Sequence, residues 1–202
     1  AYGAYFVSAD FGVTWAAQEF EPKPVAGAHP AQPEADEFDE GELGDPHLNR
    51  IAAASPTRLY IAAEGGHLYR SDDSGASWVE LPSPYEGSLF GITPLAGDAV
   101  LAYGLRGNLF RSDDAGASWR RIDTGTVAML NDAVVLPGGG VAVVGLSGVV
   151  LVNRNGQRFE LSQQSDRKGL SAAVALSSGS LATVGEAGVK VIPLTWGTVA
   201  GS

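Results

Sequence analysis

Apolar residues in this chain form short runs and not a stripe at helical spacing. Runs of Val, Leu, Tyr and Phe are interrupted by Gly, Asp, Ser and Pro about every eight to twelve residues, which is typical of strands joined by tight turns. No segment of helical length keeps one apolar face. The pattern therefore predicts an all-β chain. Two groups of four strands are predicted, over 48–55, 58–64, 66–71 and 78–82 and over 87–95, 99–105, 107–112 and 119–123.

An internal repeat organises these strands. The sequence SDDSGASW at 71–78 returns as SDDAGASW at 112–119, an offset of 41 residues, and SADFGVTW at 8–15 is an earlier copy. Four strands per repeat of about 40 residues predict a β-propeller built from four-stranded antiparallel blades. We expect 1–202 to form a single propeller domain, or the C-terminal part of one, with about four to five blades: three whole and two partial.

The repeated sequence is best explained as a structural turn between the third and fourth strands of a blade. An Asp in a tight turn accepts hydrogen bonds from nearby backbone N–H groups, a Gly permits positive φ, and a Trp buries a large ring between sheets. Acid–base chemistry or metal binding by Asp73 and Asp114 is the alternative. The predicted structural residues are Ser8, Asp10, Gly12, Trp15, Ser71, Asp73, Gly75, Trp78, Ser112, Asp114, Gly116 and Trp119.

Blade topology predicts where a partner would bind. The first–second and third–fourth turns share one face of a propeller, and the second–third turns and blade links share the other. Individual polar and aromatic residues concentrate in the second set, and such side chains make good protein contacts. Ordinary solvated turns are the alternative. The candidate partner-binding residues are His47, Asn49, Glu64, His67, Tyr85, Glu86, Phe90, Arg106, Asn108, Lys168 and Glu186.

Charge is distributed unevenly along the chain. The formal net charge is −10, which argues against a nucleic-acid partner. Nine acidic residues lie in 19–45, where Lys23 is the one base. We interpret 21–47 as an acidic, Pro-rich loop inserted between blades, which would tune partner contacts electrostatically.

Several chemistries find no support in the residue types. The chain has no Cys, so a thiol nucleophile and Cys-ligated metals are excluded. His29, His47 and His67 lack the spacing of a zinc site, and the acidic run at 36–40 lacks the pattern of a calcium loop. Residues 133–152 carry no formal charge, but the glycines within this stretch favour two strands over a membrane span. We therefore expect no cofactor, no metal and no direct membrane span.

The motif resembles a known repeat. Ser/Thr-x-Asp-x-Gly-x-Ser/Thr-Trp is similar to the Asp-box, or BNR repeat, of sialidase-type and sortilin-type propellers. The stretches 84–91, 102–110 and 47–49 look most like the photosystem II stability/assembly factor-like family. That resemblance implies an exported or periplasmic, non-catalytic propeller that assists assembly of a membrane protein complex. It also implies a longer, seven-bladed protein, with blades that precede those of this chain.

Two further interpretations stay open. A glycoside hydrolase needs two carboxylates on opposite sides of the scissile bond, and Glu64, Glu86 and Glu186 are available. No spacing singles out a pair among them, and Arg106 alone does not make the arginine cluster that a sialidase needs. Exposed sheet edges could also promote self-association.

Overall fold

The computed structural model describes residues 5–24, 46–154 and 158–194, which form seventeen strands in five antiparallel sheets. Sheet 1 contains β1 (Tyr5–Val7) and β2 (Ala16–Gln18). Sheet 2 contains β3 (Leu48–Ala53), β4 (Leu59–Ala63), β5 (Leu68–Ser71) and β6 (Val79–Glu80). Sheet 3 contains β7 (Leu89–Pro94), β8 (Val100–Gly104), β9 (Leu109–Ser112) and β10 (Arg120–Arg121). Sheet 4 contains β11 (Leu130–Val135), β12 (Val141–Gly145), β13 (Val149–Asn153) and β14 (Glu160–Gln163). Sheet 5 contains β15 (Leu170–Ala175), β16 (Ser180–Gly185) and β17 (Gly188–Pro193).

The sheets are the blades of a partial β-propeller. Each sheet pairs its strands in chain order, and the first strands β3, β7, β11 and β15 lie beside one another in succession. Sheet 1 holds two strands joined by a copy of the repeated turn, and sheet 5 holds three. The predicted all-β propeller with three whole and two partial blades is confirmed.

Each hydrophobic core lies between two consecutive sheets. Tyr60 and Ala62 face sheet 3, while Ile61 and Ala63 on the same strand face sheet 1. Strands covered on both faces are continuous apolar runs without alternation. The uncharged stretch 133–152 is such a case, because β12 and β13 pack between sheets 3 and 5. Among the described residues, no helix has the length and apolar character to cross a membrane.

The repeated turns 8–15, 71–78 and 112–119, which we call box turns, share one hydrogen-bond pattern. The Ser77 N–H and the Ser77 and Ser71 hydroxyls donate to the Asp73 carboxylate at 2.6–2.8 Å, and the Gly75 N–H donates to the Ser71 hydroxyl at 2.8 Å. Donation by Ser77 and Ser71 lowers the pKa of Asp73 to about 2. The carboxylate therefore holds the turn together by accepting bonds from residues on both sides of the glycine.

Among the described residues, the Trp packs against the preceding sheet in two of the three box turns. Trp78 is buried among Tyr5, Phe20 and Tyr69, and Trp119 packs against the core between sheets 2 and 3. Trp15 is 64% exposed and its indole N–H donates within its own turn, to Gly12 O. Burial of the ring thus depends on a neighbouring sheet and not on the motif itself.

Several predicted strands are too long. The second–third turns are short 3₁₀ turns at Glu64–Gly66, Leu105–Gly107 and Leu146–Gly148, and they shorten the strands on both sides. The predicted fourth strands 78–82 and 119–123 reduce to β6 and β10, because Trp78 and Trp119 end the box turns. Within the predicted acidic loop, residues 25–45 lie outside the described part of the chain.

Candidate functional site

The 3₁₀ turns and the blade links form one face of the molecule, which we call the link face. Strands β3, β7, β11 and β15 each contain a β-bulge, in which one residue has no partner on the neighbouring strand. The bulge residues are Asn49, Phe90, Asn131 and Ser171. Bulges redirect side chains at the ends of strands. The Asn49 and Asn131 amides donate to Leu89 O and Leu170 O of the next sheet, at 2.9 and 2.8 Å. Asn49, a predicted binding residue, therefore also links two blades.

Two His–carboxylate pairs lie on sheet 2. His47 Nδ1 is 2.6 Å from Glu64 Oε2, and His67 Nδ1 is 2.6 Å from Glu80 Oε1. The His67 ring also stacks on Tyr69, with centroids 6.0 Å apart. These contacts bring the predicted residues His47 and Glu64 together beside the first 3₁₀ turn.

A groove between the link after sheet 2 and the outer part of sheet 3 brings three predicted residues together. The groove encloses about 680 Å³, and we call it the Tyr85 groove. Tyr85, Arg106 and Asn108 line the groove, and the Tyr85 ring centroid lies 6.2 Å from that of Phe110. Its lining residues are Pro84, Tyr85, Arg106, Asn108, Phe110, Trp119, Arg121 and Val127.

Local backbone geometry positions these side chains. Arg106 has φ 56° at the centre of its 3₁₀ turn, and the Asn108 side chain donates to Leu105 O at 3.0 Å. The Thr124 hydroxyl donates to Gly107 O at 2.9 Å and ties the following link to the same turn. Arg106 is thereby presented to solvent on a braced turn, while Asn108 is buried and stabilises it.

Sequence reasoning missed five of the lining residues. Phe110 and Trp119 have the pattern of core residues, and both do pack into a core, so only part of each ring borders the groove. The sequence did carry a signal for two of the other lining residues. Arg121 stands where the previous repeat has Glu80, and Val127 is an apolar residue in a polar link.

The other predicted residues are distributed over the link face. Glu86 is exposed on the link after sheet 2, and Phe90 is the bulge residue of β7. Lys168 precedes β15, and Glu186 lies at the turn between β16 and β17. Glu64 on sheet 2 and Glu186 on sheet 5 are separated by two whole sheets.

A second cavity lies on the opposite face. It encloses about 210 Å³ between the first–second turns of sheets 4 and 5 and is lined by Leu136, Leu176, Leu194 and backbone of the glycine turns. Arg154 is the charged residue that lines it. In the described ranges, no three His, Asp or Glu side chains converge as a metal site requires. The Tyr85 groove, with exposed cationic and aromatic groups, is therefore the better candidate for a binding site.

The fold and this face define the chain as a propeller segment with a solvent-exposed groove. Neither a protein-family model nor a curated protein sequence matches the chain. Solved structures do match it: YCF48 bound to a D1 peptide has a TM-score of 0.66 at 16% identity, and YCF48 from Cyanidioschyzon merolae a TM-score of 0.67 at 14% identity. An ancestral GH74 enzyme matches with a TM-score of 0.62 at 15% identity.

Coverage differs among these matches. The YCF48 matches cover 93% and 96% of this chain, which spans 58% and 61% of the length of those proteins. The GH74 match covers 72% of this chain and 22% of the enzyme. At such low identities the structural similarity establishes the propeller fold alone, and the function must be inferred from the site.

Proposed function

We propose that the chain is part of a non-catalytic Asp-box propeller that binds a protein partner through its link face and assists assembly of a membrane protein complex. The stretches 84–91, 102–110 and 47–49 resemble the photosystem II assembly factor-like family, and we propose an exported compartment for the chain. The observation that carries the proposal is the Tyr85 groove. Exposed Arg106, Arg121 and Val127 line it together with aromatic rings, a combination common in protein interfaces.

The comparison with YCF48 supports this proposal. One of the matched structures is bound to a D1 peptide, so a propeller of this shape can hold a peptide segment of another protein. The chemistry of the Tyr85 groove suits an extended segment with acidic and apolar side chains. Arginine binds carboxylates in bidentate geometry, and Val127 and Tyr85 offer apolar contact.

Capture from solubilised membranes tests the proposal. We expect the tagged chain to retain a membrane protein complex, and the Tyr85→Ala/Arg106→Ala variant to lose most of that retention. Phe11→Ala is the matched control, because Phe11 is a fully exposed aromatic residue in a box turn on the opposite face. Equal retention by the groove variant and the parent chain would contradict the proposal.

Glycoside hydrolysis is the second candidate, because a GH74 enzyme shares the fold. A panel of fluorogenic glycosides, with Glu86→Gln as the comparison, separates the two functions. Turnover that Glu86→Gln abolishes would favour the enzyme. We expect none, since no spacing in the sequence singles out a catalytic pair among the three candidate glutamates.

A further inference from the structure

Among the described residues, one residue, Lys23, pairs with the outer edge of sheet 2. Lys23 forms a parallel bridge with Val79. The Lys23 N–H donates to Trp78 O at 2.9 Å, and the Glu80 N–H donates to Lys23 O at 2.9 Å. The edge of a four-stranded blade in this protein can therefore pair with an added extended segment.

The same edge recurs in sheet 3. The pairing of Tyr69 with Glu80 corresponds, 41 residues later, to that of Phe110 with Arg121. The bond from Leu81 N to Leu68 O likewise corresponds to that from Ile122 N to Leu109 O, both at 2.8 Å. Alternate N–H groups of a strand point to opposite sides. The Arg121 N–H and the Trp119 carbonyl therefore point away from β9.

No described residue pairs with this second edge. Within 5–24, 46–154 and 158–194, nothing accepts from the Arg121 N–H or donates to Trp119 O. Unpaired strand edges are templates for pairing with another chain. The geometry that Lys23 satisfies in sheet 2 is thus open to another chain in sheet 3.

Charge distinguishes this edge from the others. Arg120 and Arg121 are exposed on β10, and Arg121 lines the Tyr85 groove on one side. On the other side, Arg121 lines a second groove of about 270 Å³ that also includes Arg111 and Arg158. Asp113 binds Arg111 at 2.6 Å and lies 3.6 Å from Arg120, so part of this charge is balanced.

The remaining outer edges lack this concentration of arginine. β14 begins with Glu160, and β2 carries only Ala and Gln. The chain as a whole is strongly acidic, yet six of its thirteen basic residues fall in the interval 106–158. An acidic ligand would therefore select the edge of sheet 3.

We propose that β10 binds an extended, acidic peptide segment of the partner protein as an added parallel strand. One residue of that segment donates its N–H to Trp119 O and accepts from the Arg121 N–H, as Lys23 does at sheet 2. Carboxylates on either side of it bind the arginines that line the two grooves. This inference rests on the proposed protein-binding function and specifies its mode. A peptide suits the site better than a nucleic acid, because a nucleic acid has no backbone that pairs with a strand edge.

Synthetic peptides test the main-chain pairing directly. The probe is an acetylated, amidated heptapeptide of alternating Val and Glu. Its controls are the same peptide with Lys in place of Glu, the same peptide N-methylated at its three central residues, and an oligothymidylate of similar length. Binding is measured by calorimetry, and protection of the Arg121 amide from hydrogen exchange by NMR.

We expect the Glu peptide to bind and to slow exchange of the Arg121 amide. N-methylation should weaken binding about tenfold or more, because it removes the main-chain donors and blocks close approach. The Lys peptide and the oligothymidylate should not bind. Unchanged Arg121 exchange, equal affinity for the N-methylated peptide, or preferential binding of the oligothymidylate would each overturn the proposal.

Two variants distinguish the contribution of the Arg121 backbone N–H to binding from that of the Arg121 side chain. Arg121→Pro removes the outward N–H as well as the guanidinium, while Arg121→Ala removes only the guanidinium. Proline is tolerated at edge strands, and a thermal melt checks that each variant folds. We expect Arg121→Pro to bind the Glu peptide about tenfold more weakly than Arg121→Ala does, as befits one lost hydrogen bond. Leu161→Pro, at the corresponding position of β14, is the matched control and should leave peptide binding unchanged.

The peptide and membrane experiments fail in distinguishable ways. If Tyr85→Ala/Arg106→Ala abolishes capture of the membrane complex and Arg121→Pro captures as much as Arg121→Ala, the protein-binding function holds and strand addition is wrong. If the unchanged chain captures no membrane protein, the proposed function itself fails. Should Arg121→Pro unfold, the N-methylated peptide and Arg121 exchange in the parent chain decide the question alone.

Discussion

The carboxylate of Asp73 stabilises its box turn because it accepts three hydrogen bonds in its ionised form. The folded-state pKa is about 2, below the ordinary 3.8, so ionisation favours the folded state. This contribution is fully present above pH ~4 and is lost as the pH falls from about 4 to about 2. Asp10 and Asp114 have the same depressed pKa, so three turns weaken together in acid.

The pH dependence of unfolding tests this role. We expect Asp73→Asn to lower the melting temperature at pH 7, and the difference from the parent chain to shrink towards zero as the pH approaches 2. Glu86→Gln, which removes an exposed carboxylate outside any box turn, should show no such convergence. A difference that stays constant from pH 7 to pH 2.5 would mean that ionised Asp73 is not what stabilises the turn.

Two tryptophans at the same motif position form a matched pair. Trp78 is 4% exposed among aromatic rings, whereas Trp15 is 64% exposed. We expect Trp78→Ala to destabilise the fold by about 3–5 kcal/mol because it leaves a cavity between sheets 1 and 2. Trp15→Ala should cost less than about 1 kcal/mol. Denaturant unfolding measures both, and equal effects would show that the ring stabilises the turn itself and not the junction.

At the scale of an element, the glycines of the 3₁₀ turns fix how closely the links approach. A Cβ on Gly107 would lie 2.0 Å from Thr126 O, and one on Gly66 would lie 1.8 Å from Tyr85 O. Each link returns over the 3₁₀ turn of its own sheet, where Thr124 or Ser83 donates to the glycine carbonyl. This contact positions Tyr85 and Val127 at the Tyr85 groove.

Comparing Gly107→Ala with Gly97→Ala separates two contributions to the loss of stability: steric overlap of the added Cβ and strain of the backbone conformation. Both glycines have φ 68°, but a Cβ on Gly97 meets nothing within 4 Å. Gly97→Ala should cost about 1–2 kcal/mol for its left-handed conformation alone. Gly107→Ala should cost about 3 kcal/mol or more, because overpacking adds to the same strain. Urea unfolding provides the comparison, and equal costs would contradict the close contact with Thr126.

The propeller could be predicted from the sequence and the groove could not, for a physical reason. A box turn is a local unit whose Ser, Asp, Gly and Trp bond among themselves, so each copy marks the junction of two strands. The groove depends on contacts between link and turn side chains that are about 20 residues apart in the sequence. In any short stretch of sequence, Phe110 and Trp119 look like core residues. Lys23 pairs with Val79 through one isolated bridge, for which a sequence carries no periodic signal.

At the scale of the whole molecule, the sheets are held together by polar contacts as well as by cores. Arg70 donates to Ala115 O of the next box turn at 2.9 Å, and Arg58 bonds both Asp72 and Asp98 at 2.6 Å, which joins sheets 2 and 3. Farther along, buried Asp132 accepts from the Ala173 N–H at 2.9 Å and lies 3.1 Å from Arg50. Asp132 thereby connects sheets 2, 4 and 5.

Successive sheets also present the same apolar face to the next sheet. In sheet 4 this face consists of Val134, Val144, Val150 and Val152, which pack against sheet 5. The corresponding residues of sheet 5 are Val174, Val184, Val189 and Val191, and they are 46–75% exposed. Sheet 1 exposes Phe6 and Trp15. Two unlike apolar faces on one chain favour head-to-tail contacts between copies.

We predict that this chain self-associates through the valine face of sheet 5. Sedimentation velocity should show the mean sedimentation coefficient rising with protein concentration, because a heterologous contact extends from copy to copy. Val189→Lys/Val191→Lys places two charges on that face and should keep the chain monomeric, since burying an unpaired ammonium costs several kcal/mol. Val127→Lys adds a charge at an exposed valine of the link face and should leave association unchanged. A parent chain that sediments as a monomer at every concentration would contradict the prediction and show that exposed valines on a sheet face are insufficient for association.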